Sequence, residues 1–166
     1  MARVILVCGK VCAGKSTYAR RLAAELPAVR LNPDEVMKGL FGEHLGDRHE
    51  TVFADTMALL CEKAAETAKN GISVVVDAGF WQKKWREWAK AFLAEQGIVP
   101  EWHYVHVSDD TWRRNLEKRN AMALLPGSSD YYIDEGILQK FDPADEPARD
   151  EMDVWFENAW RAEKER

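Results

Sequence analysis

The stretch VCGKVCAGKST, residues 7–17, decides the fold of this chain. Gly9 is followed by four residues and then by Gly14-Lys15-Ser16, which is the phosphate-binding pattern G-x-x-x-x-G-K-[ST]. Its glycines allow a tight wrap that aims several backbone N–H groups at one phosphate chain, and the next helix adds its N-terminal dipole. Lys15 is expected to reach the β- and γ-phosphates and Ser16 to reach Mg²⁺. We therefore predict that ATP contacts Gly9, Val11, Cys12, Ala13, Gly14, Lys15, Ser16 and Thr17.

The surroundings of this motif favour a phosphate loop over a chance match. Residues 3–8, RVILVC, form a short apolar run rich in β-branched side chains, which indicates a buried strand. Residues 15–25 carry apolar side chains at helical spacing, and Pro27 ends that pattern. The motif thus falls between a strand and a helix, as phosphate binding requires.

Strand and helix patterns alternate along the rest of the chain. Apolar runs predict further strands at 28–32, 72–77, 102–107 and, more weakly, 152–156. Four further helices are predicted. One starts at Pro33, and a second covers Phe53 to Thr67 and ends at Asn70-Gly71. A third runs from Trp81 to about Gly97, and a fourth runs from an N-cap at Asp110 through Arg119. The alternation predicts an α/β fold, a P-loop three-layer αβα sandwich with a parallel sheet of about five strands. We expect a single domain over 1–166 with a small helical lid at about 112–141.

Composition is typical of a soluble globular protein. The 166 residues are 46% hydrophobic and 31% charged, and no apolar run approaches the ~20 residues needed to cross a bilayer. The chain start lacks the features of a secretory signal, and an odd number of cysteines fits a reducing compartment. A net charge of −5 argues mildly against nonspecific nucleic-acid binding. We expect a cytoplasmic protein with no membrane partner.

Two carboxylates follow predicted strands at the edge of the sheet where ligands bind. Asp34, in RLNPDEV, comes after the second strand and could accept a proton from a hydroxyl that attacks the γ-phosphate. The alternative is a carboxylate that only stabilises the first turn of a helix. Asp77, in VVVDAGF, has the position of a residue that binds Mg²⁺ with Ser16, with a cap of the next segment as the alternative.

A basic segment, TWRRNLEKRN at 111–120, offers charge for phosphoryl transfer. An arginine can neutralise the charge that develops on the moving group, whereas a solvated helix face is the usual explanation of such a cluster. We choose Arg119 first, because the helix pattern ends there and a loop follows, and Arg114 second. The turn-rich residues 126–129 are a candidate lid hinge, and Asp134 a candidate cap of a short helix.

Several other patterns favour structural roles. Trp81, Trp85 and Trp88 recur at helical spacing and are expected in the core rather than on a base-stacking platform. Lys83, Lys84 and Arg86 interleave with them and are expected on a solvated face.

The order of motifs GKVCAGKST, RLNPDE, VVVDAGFW, WRRNLEKRN and ILQKFDP resembles a family of small bacterial P-loop proteins, known as AAA-type ATPases but built like small kinases. The resemblance extends from Arg3 to about Asp145. Related groups are the phage polynucleotide kinase domain, chloramphenicol phosphotransferase, the tunicamycin-resistance protein and zeta toxins. The resemblance implies a base at Asp34, an acidic residue after the third strand at Asp77 and a lid arginine at Arg119.

Two positions depart from the phage kinase. That enzyme has an arginine three residues after its base, where this chain has Met37 next to Lys38. It also has a second lid arginine four residues after the first, where this chain has Ala123. Both differences weaken the polynucleotide interpretation.

The sequence therefore predicts an ATP-dependent, Mg²⁺-requiring kinase whose partner is a small-molecule hydroxyl acceptor. We expect residues 34–50 and 79–86 to frame the acceptor pocket. A polynucleotide or nucleoside 5′-kinase is the nearest alternative, so nucleic acid is a possible but not favoured partner. An NTP-hydrolysing switch without an acceptor is the alternative from another class.

Overall fold

The fold is taken from a computed structural model, which describes residues 1–42, 45–126 and 132–159. The strands are β1 (Val4–Cys8), β2 (Val29–Leu31), β3 (Val74–Gly79), β4 (Glu101–His106) and β5 (Val154–Glu157). The α-helices are α1 (Lys15–Glu25), α2 (Pro33–Phe41), α3 (His49–Lys69), α4 (Lys83–Glu95), α5 (Asp109–Ala123) and α6 (Glu135–Leu138). Short 3₁₀ turns cover Gly46–Arg48, Pro143–Asp145 and Arg149–Glu151.

The five strands form one parallel sheet in the order β2-β3-β1-β4-β5. All five residues of β1 are buried, as the continuous apolar run predicts for a strand with neighbours on both sides. Val4 pairs with Val74 on one side, and Ile5 pairs with Glu101 on the other. The carboxyl ends of these strands share one edge of the sheet, where the loops that follow them meet.

Helices cover both faces of the sheet. One face packs against α3 and α4 through residues such as Met57, Cys61 and Leu93. The other packs against α1 through Tyr18 and Ala19, with Trp112 of α5 at its margin. The predicted three-layer αβα sandwich with a parallel five-stranded sheet is confirmed.

Several predicted element boundaries shift in the structure. α4 begins at Lys83, so Trp81 precedes it. Ser108, not Asp110, is the N-cap of α5, because its hydroxyl accepts from the Thr111 N–H while Asp110 lies in the first turn. α5 also continues past Arg119 to Ala123, so the predicted helix end at Arg119 is wrong.

Two predictions concern the segment after α5. The side chain of Asp134 accepts a hydrogen bond from the Ile137 N–H, which confirms it as the cap of α6. The candidate hinge at 126–129 falls, beyond Pro126, outside the described residues. The lid at about 112–141 therefore stays a prediction. In the described part of the chain, no helix is long and apolar enough to span a bilayer.

Candidate active site

An open cleft of about 1280 Å³ lies at the carboxyl edge of the sheet. Its volume exceeds the ~300–1,000 Å³ of a typical small-molecule pocket, so it has room for two ligands side by side. The predicted site residues that line it are Gly9, Val11, Cys12, Gly14, Lys15, Ser16, Thr17, Asp34, Asp77 and Arg119. Of the other two, Ala13 is buried beneath the loop and Arg114 lies on the outer side of α5, outside the lining.

The loop between β1 and α1 requires glycine at two positions. Gly9 has a φ of +154°, and a Cβ there would come within 2.9 Å of the Val105 carbonyl oxygen. Gly14 has a φ of +90°, and a Cβ there would collide with the Asn158 side chain. Both the backbone conformation and the close approach of neighbours therefore exclude larger residues.

Side chains from α5 and from the residue after β5 hold the outer surface of this loop. The Trp112 Nε1 donates to the Val11 carbonyl at 2.8 Å, the Asn115 Nδ2 to the Cys12 carbonyl at 2.9 Å and the Asn158 Nδ2 to the Ala13 carbonyl at 2.8 Å. In a planar trans peptide the next N–H points the opposite way, so the Cys12 and Gly14 N–H groups turn away from these donors. We call Trp112, Asn115 and Asn158 the loop clamp, a group that sequence reasoning missed because its members lie about a hundred residues or more from the loop.

Lys15 lies between the loop and the end of β3. Its Nζ donates to the Lys10 carbonyl at 2.7 Å, and its Cε lies 3.6 Å from the position of a Cβ on Gly79. Burial lowers the pKa of Lys15, and the charges of Asp77 and Asp34 oppose that shift. The Lys15 ammonium therefore lies at the cleft on a backbone carbonyl, within electrostatic reach of both carboxylates.

The N-terminus of α2 places Asp34 at the same edge. The Asn32 side chain caps α2 by accepting from the Glu35 N–H at 2.9 Å, and its Nδ2 donates to the Asp77 carbonyl at 2.9 Å. One amide thus ties the start of α2 to the end of β3. Asp34 lies in the first turn of a helix and also lines the cleft, so its place is compatible with both interpretations of the sequence, and its role as a proton acceptor stays a prediction.

The Asp34 carboxyl is open to water on its cleft side and enclosed by protein on the others. Burial raises its pKa, while Lys15, His49 and Arg119 act in the opposite direction. An aspartate with a raised pKa beside a lysine and an arginine suits proton acceptance near a phosphate chain.

Asp77 is buried at the end of β3 and is oriented by two donors. Its Oδ2 accepts from the Arg30 Nη1 at 2.8 Å and from the Asn32 Nδ2 at 3.1 Å. Gln82 is the N-cap residue of the next helix, α4, so Asp77 does not cap it. Arg30, which also pairs with Glu35, went unnoticed in the sequence because nothing marks it as the partner of a carboxylate 47 residues away.

The donor set fits a Mg²⁺ ion that arrives with its nucleotide. Among the described residues, no group of three or more His, Cys, Asp or Glu side chains is placed to hold a metal. Mg²⁺ commonly takes only one or two protein oxygens and completes its shell with phosphate and water. A hydroxyl at Ser16 and a carboxylate at Asp77, both on the cleft, match that requirement.

The basic residues of α5 divide between the cleft and solvent. Lys118 and Arg119 line the cleft together with Asn115. Arg114 bonds the Asp110 carbonyl of its own helix at 3.3 Å, and Arg113 lies 3.9 Å from the Asp110 carboxylate. The structure thus brings Arg119 to the site by its helix face and leaves Arg114 outside.

Residues after β3 fold into an anchored turn rather than a solvated face. Trp81 is buried, and its Nε1 donates to the Asp142 carbonyl at 3.0 Å. Arg86, predicted on a solvated face, is only 4% exposed because its guanidinium binds the carbonyls of Phe80, Trp81 and Asp145. It also meets the Glu151 carboxylate at 3.2 Å. Trp81 and Trp85 pack on the core, as predicted, and line the cleft as well.

A family model described as an AAA domain matches residues 4–128. A search of curated proteins found no significant match. Among solved structures, Chaetomium thermophilum Kti12 in complex with ADP-AlF3 has a TM-score of 0.66 and 15% identity over 97% of this chain and 91% of that chain.

Two kinases have the same fold. A gluconokinase from Sinorhizobium meliloti has a TM-score of 0.60 and 14% identity, covering 94% of this chain and 81% of its own. The Mycobacterium tuberculosis APS kinase CysC, in complex with AMPPNP and APS, has a TM-score of 0.58 and 21% identity, covering 81% and 84%. At these identities the likeness shows a common fold.

Proposed function

This chain belongs to the AAA domain family, and from that premise we propose that it is an ATP-dependent, Mg²⁺-requiring kinase that phosphorylates a hydroxyl group of a small molecule. One observation carries the proposal. The phosphate loop and Asp34 line one cleft that continues past Asp34 into a second half, large enough for an acceptor. A nucleotide-driven switch needs the loop but has no need of that second half.

The residues divide between nucleotide and acceptor. The backbone of residues 9–16 and the Lys15 ammonium bind the phosphates of ATP, with the loop clamp fixing the backbone from behind. Ser16 and Asp77 would hold the Mg²⁺ that arrives with ATP, and that ion would offset charge on the phosphates. Arg119, on the wall formed by α5, stabilises the negative charge of the transferring group.

Asp34 is the proton acceptor in this proposal. The acceptor hydroxyl oxygen forms a bond to the γ-phosphorus, the bond from that phosphorus to the β–γ bridging oxygen breaks, and ADP leaves with that oxygen. The hydroxyl proton passes to the Asp34 carboxylate. The ionised form is required, so protonation of Asp34 at low pH opposes the reaction.

The structure supports the argument against a polynucleotide acceptor. Met37 occupies the place of the phosphate-binding arginine of the phage kinase, and it is buried, with only 4% of its surface exposed. An apolar side chain there adds nothing to the binding of a phosphate backbone. The competing 5′-kinase would show a steep loss of affinity with salt, since it depends on several phosphate contacts.

The test is a screen with γ-labelled ATP. Hydroxyl-bearing metabolites, antibiotics and 5′-hydroxyl oligonucleotides are incubated with the protein, Mg²⁺ and labelled ATP, and products are detected by mass. We expect the label on a small molecule, absent with the Lys15→Ala variant. Label only on oligonucleotides would favour the 5′-kinase, and label only in inorganic phosphate would favour the switch.

A further inference from the structure

Aromatic rings wall the half of the cleft that lies beyond Asp34. Phe53 comes from α3, Trp81 and Trp85 from the turn into α4 and its first turn, and Phe141 from the residues after α6. The rings of Phe53 and Trp85 meet edge to face with centroids 5.3 Å apart, and those of Trp81 and Phe141 lie 6.1 Å apart. We call these four residues the aromatic wall.

The aromatic wall begins next to the proposed base. His49 is close enough to Asp34 to act on its carboxyl electrostatically, although burial is the larger influence on the pKa of that carboxyl. The His49 ring is parallel to that of Phe53, with centroids 6.4 Å apart. Phe53 in turn contacts Trp85. A ligand that places its hydroxyl at Asp34 therefore has the rings of the aromatic wall beside the rest of its structure.

Charged groups of both signs line the cleft. Its lining includes the carboxylates of Asp34, Glu35 and Glu50 and the basic side chains of Lys38, Lys118, Arg119 and Lys140. Glu35 is already paired with Arg20 at 3.6 Å and with Arg30. The lining therefore does not select the charge of the acceptor, and the aromatic wall is the feature that distinguishes this half of the cleft.

Resting on the kinase function proposed above, we propose that the acceptor is a ring-bearing alcohol. Its ring, either aromatic or a sugar ring with an apolar C–H face, packs on the aromatic wall while its hydroxyl reaches Asp34. The proposal disfavours acyclic polyols and acyclic sugar acids, because they lack an apolar ring face.

Trp81 is held in place before any ligand binds. Its Nε1 donates to the Asp142 carbonyl, and buried Arg86 bonds both the Trp81 carbonyl and the Asp145 carbonyl, which joins this turn to the residues after α6. A pre-formed apolar surface gains affinity because little is spent on ordering it. Binding should therefore be selective for shape even with weak ligands.

Binding is tested without turnover, in the protein loaded with Mg²⁺ and a non-hydrolysable ATP analogue. Saturation-transfer NMR compares a panel of ring-bearing alcohols, including phenyl β-D-glucopyranoside, phenylethanol and tyramine, with sorbitol and gluconate at matched concentration. We expect the ring-bearing compounds to bind and sorbitol and gluconate to give no signal. If no ring-bearing compound binds, or if sorbitol or gluconate binds as well as they do, the inference is wrong.

A matched set of variants locates the binding. Phe53→Leu and Trp85→Leu remove rings of the aromatic wall, whereas Phe92→Leu removes a ring of similar burial that lies outside the cleft lining. We expect about three- to tenfold weaker binding of the ring-bearing compounds in the first two variants, and wild-type binding in Phe92→Leu. An equal loss in Phe92→Leu, or no loss in the first two, would contradict the inference.

This experiment separates the inference from the function on which it rests. If ring-bearing compounds bind selectively but the γ-labelled screen gives no phosphorylated product, the aromatic binding site is supported and the proposed kinase function is wrong. Phosphorylation of an acyclic acceptor alone would confirm the kinase and overturn the inference.

Discussion

At the scale of a single residue, the reaction proposed for Asp34 and its surroundings oppose each other. The proposed reaction needs an ionised carboxylate, yet burial in the cleft raises the pKa of Asp34. An acid with a raised pKa in the folded state binds protons more strongly there than in the unfolded chain. The contribution of Asp34 to stability is therefore most favourable at pH values below its pKa in the unfolded chain. This contribution is lost as the pH rises through the higher pKa of Asp34 in the folded protein.

We predict that Asp34→Asn raises the melting temperature at neutral pH, because the amide carries no charge to desolvate. The gain should shrink as the pH falls through the raised pKa of Asp34. Thermal unfolding of both proteins across acid to neutral pH measures it.

Glu35→Gln is the control for this prediction. Glu35 is exposed and pairs with Arg20 at 3.6 Å and with Arg30, so its loss should give no stabilisation. Equal stabilisation by both variants would mean that general negative charge, rather than the site of Asp34, causes the effect.

At the scale of elements, α5 and the residue after β5 hold the loop between β1 and α1. We predict that Asn115→Ala and Asn158→Ala each weaken ATP binding about three- to tenfold, because each frees a loop carbonyl to turn toward the phosphates. Calorimetric titration with ATP and Mg²⁺ measures the change.

Asn70→Ala serves as the matched control for the loop clamp. The Asn70 side chain donates to the Glu66 carbonyl at the end of α3, away from the cleft lining. Its loss should leave ATP affinity at the wild-type value. Unchanged affinity in the clamp variants would show that the loop keeps its shape without them.

Arg86 connects α4 to the residues after α6. We predict that Arg86→Met lowers the free energy of unfolding by at least about 2 kcal/mol, because buried carbonyls lose their donor. It should also raise the KM of the acceptor more than it lowers kcat, since Trp81 lies on the same turn. Chemical denaturation and steady-state kinetics measure both.

Lys90→Met on the exposed face of the same helix is the comparison for Arg86→Met. A surface change of this kind alters stability by no more than ~0.5 kcal/mol. Equal destabilisation of the two variants would show that the buried hydrogen bonds of Arg86 do not cause the effect.

The elements themselves were largely predictable, and the exceptions have a common cause. Periodicity found β1 and α1 because a buried run and a phosphate loop leave strong local signals. The start of α5 was misplaced because Ser108 and Asp110 are both suitable caps, and only the hydrogen bond formed decides between them. The start of α4 was misplaced because Trp81 continues the apolar spacing of the helix although it precedes Lys83. Arg86 misled prediction because a cation at that spacing is usually solvated, and its carbonyl partners come from distant turns.

On the scale of the whole molecule, the cleft depends on all the loops at one edge of the sheet. The sequence predicted Lys15, Asp34 and Asp77 as site residues, and the fold brings all three to that edge. It did not predict Asn158, which closes the loop from the last strand. Contacts over such separations leave no periodic trace in a single sequence.

We predict that ATP with Mg²⁺ stabilises the whole chain. At a hundredfold excess over Kd the gain is about 2.7 kcal/mol, which corresponds to roughly 5–10 °C in melting temperature for a chain of this size. Thermal unfolding with and without nucleotide measures it. Lys15→Ala should lose most of the shift while keeping a cooperative transition, and a full shift in that variant would argue against the phosphate loop.

The central claim is that Asp34 takes a proton from an acceptor bound beside ATP. The most direct measurement compares phosphoryl transfer to the acceptor found in the γ-labelled screen, together with ATP affinity, in wild type, Asp34→Asn and Glu35→Gln. A general base accounts for about 10²- to 10⁴-fold in rate, so Asp34→Asn should lose transfer to that extent while binding ATP normally and Glu35→Gln keeps most of both. If Asp34→Asn transfers phosphate at a rate within about threefold of wild type, the rate is far above the level expected after loss of a general base, and Asp34 is not the proton acceptor.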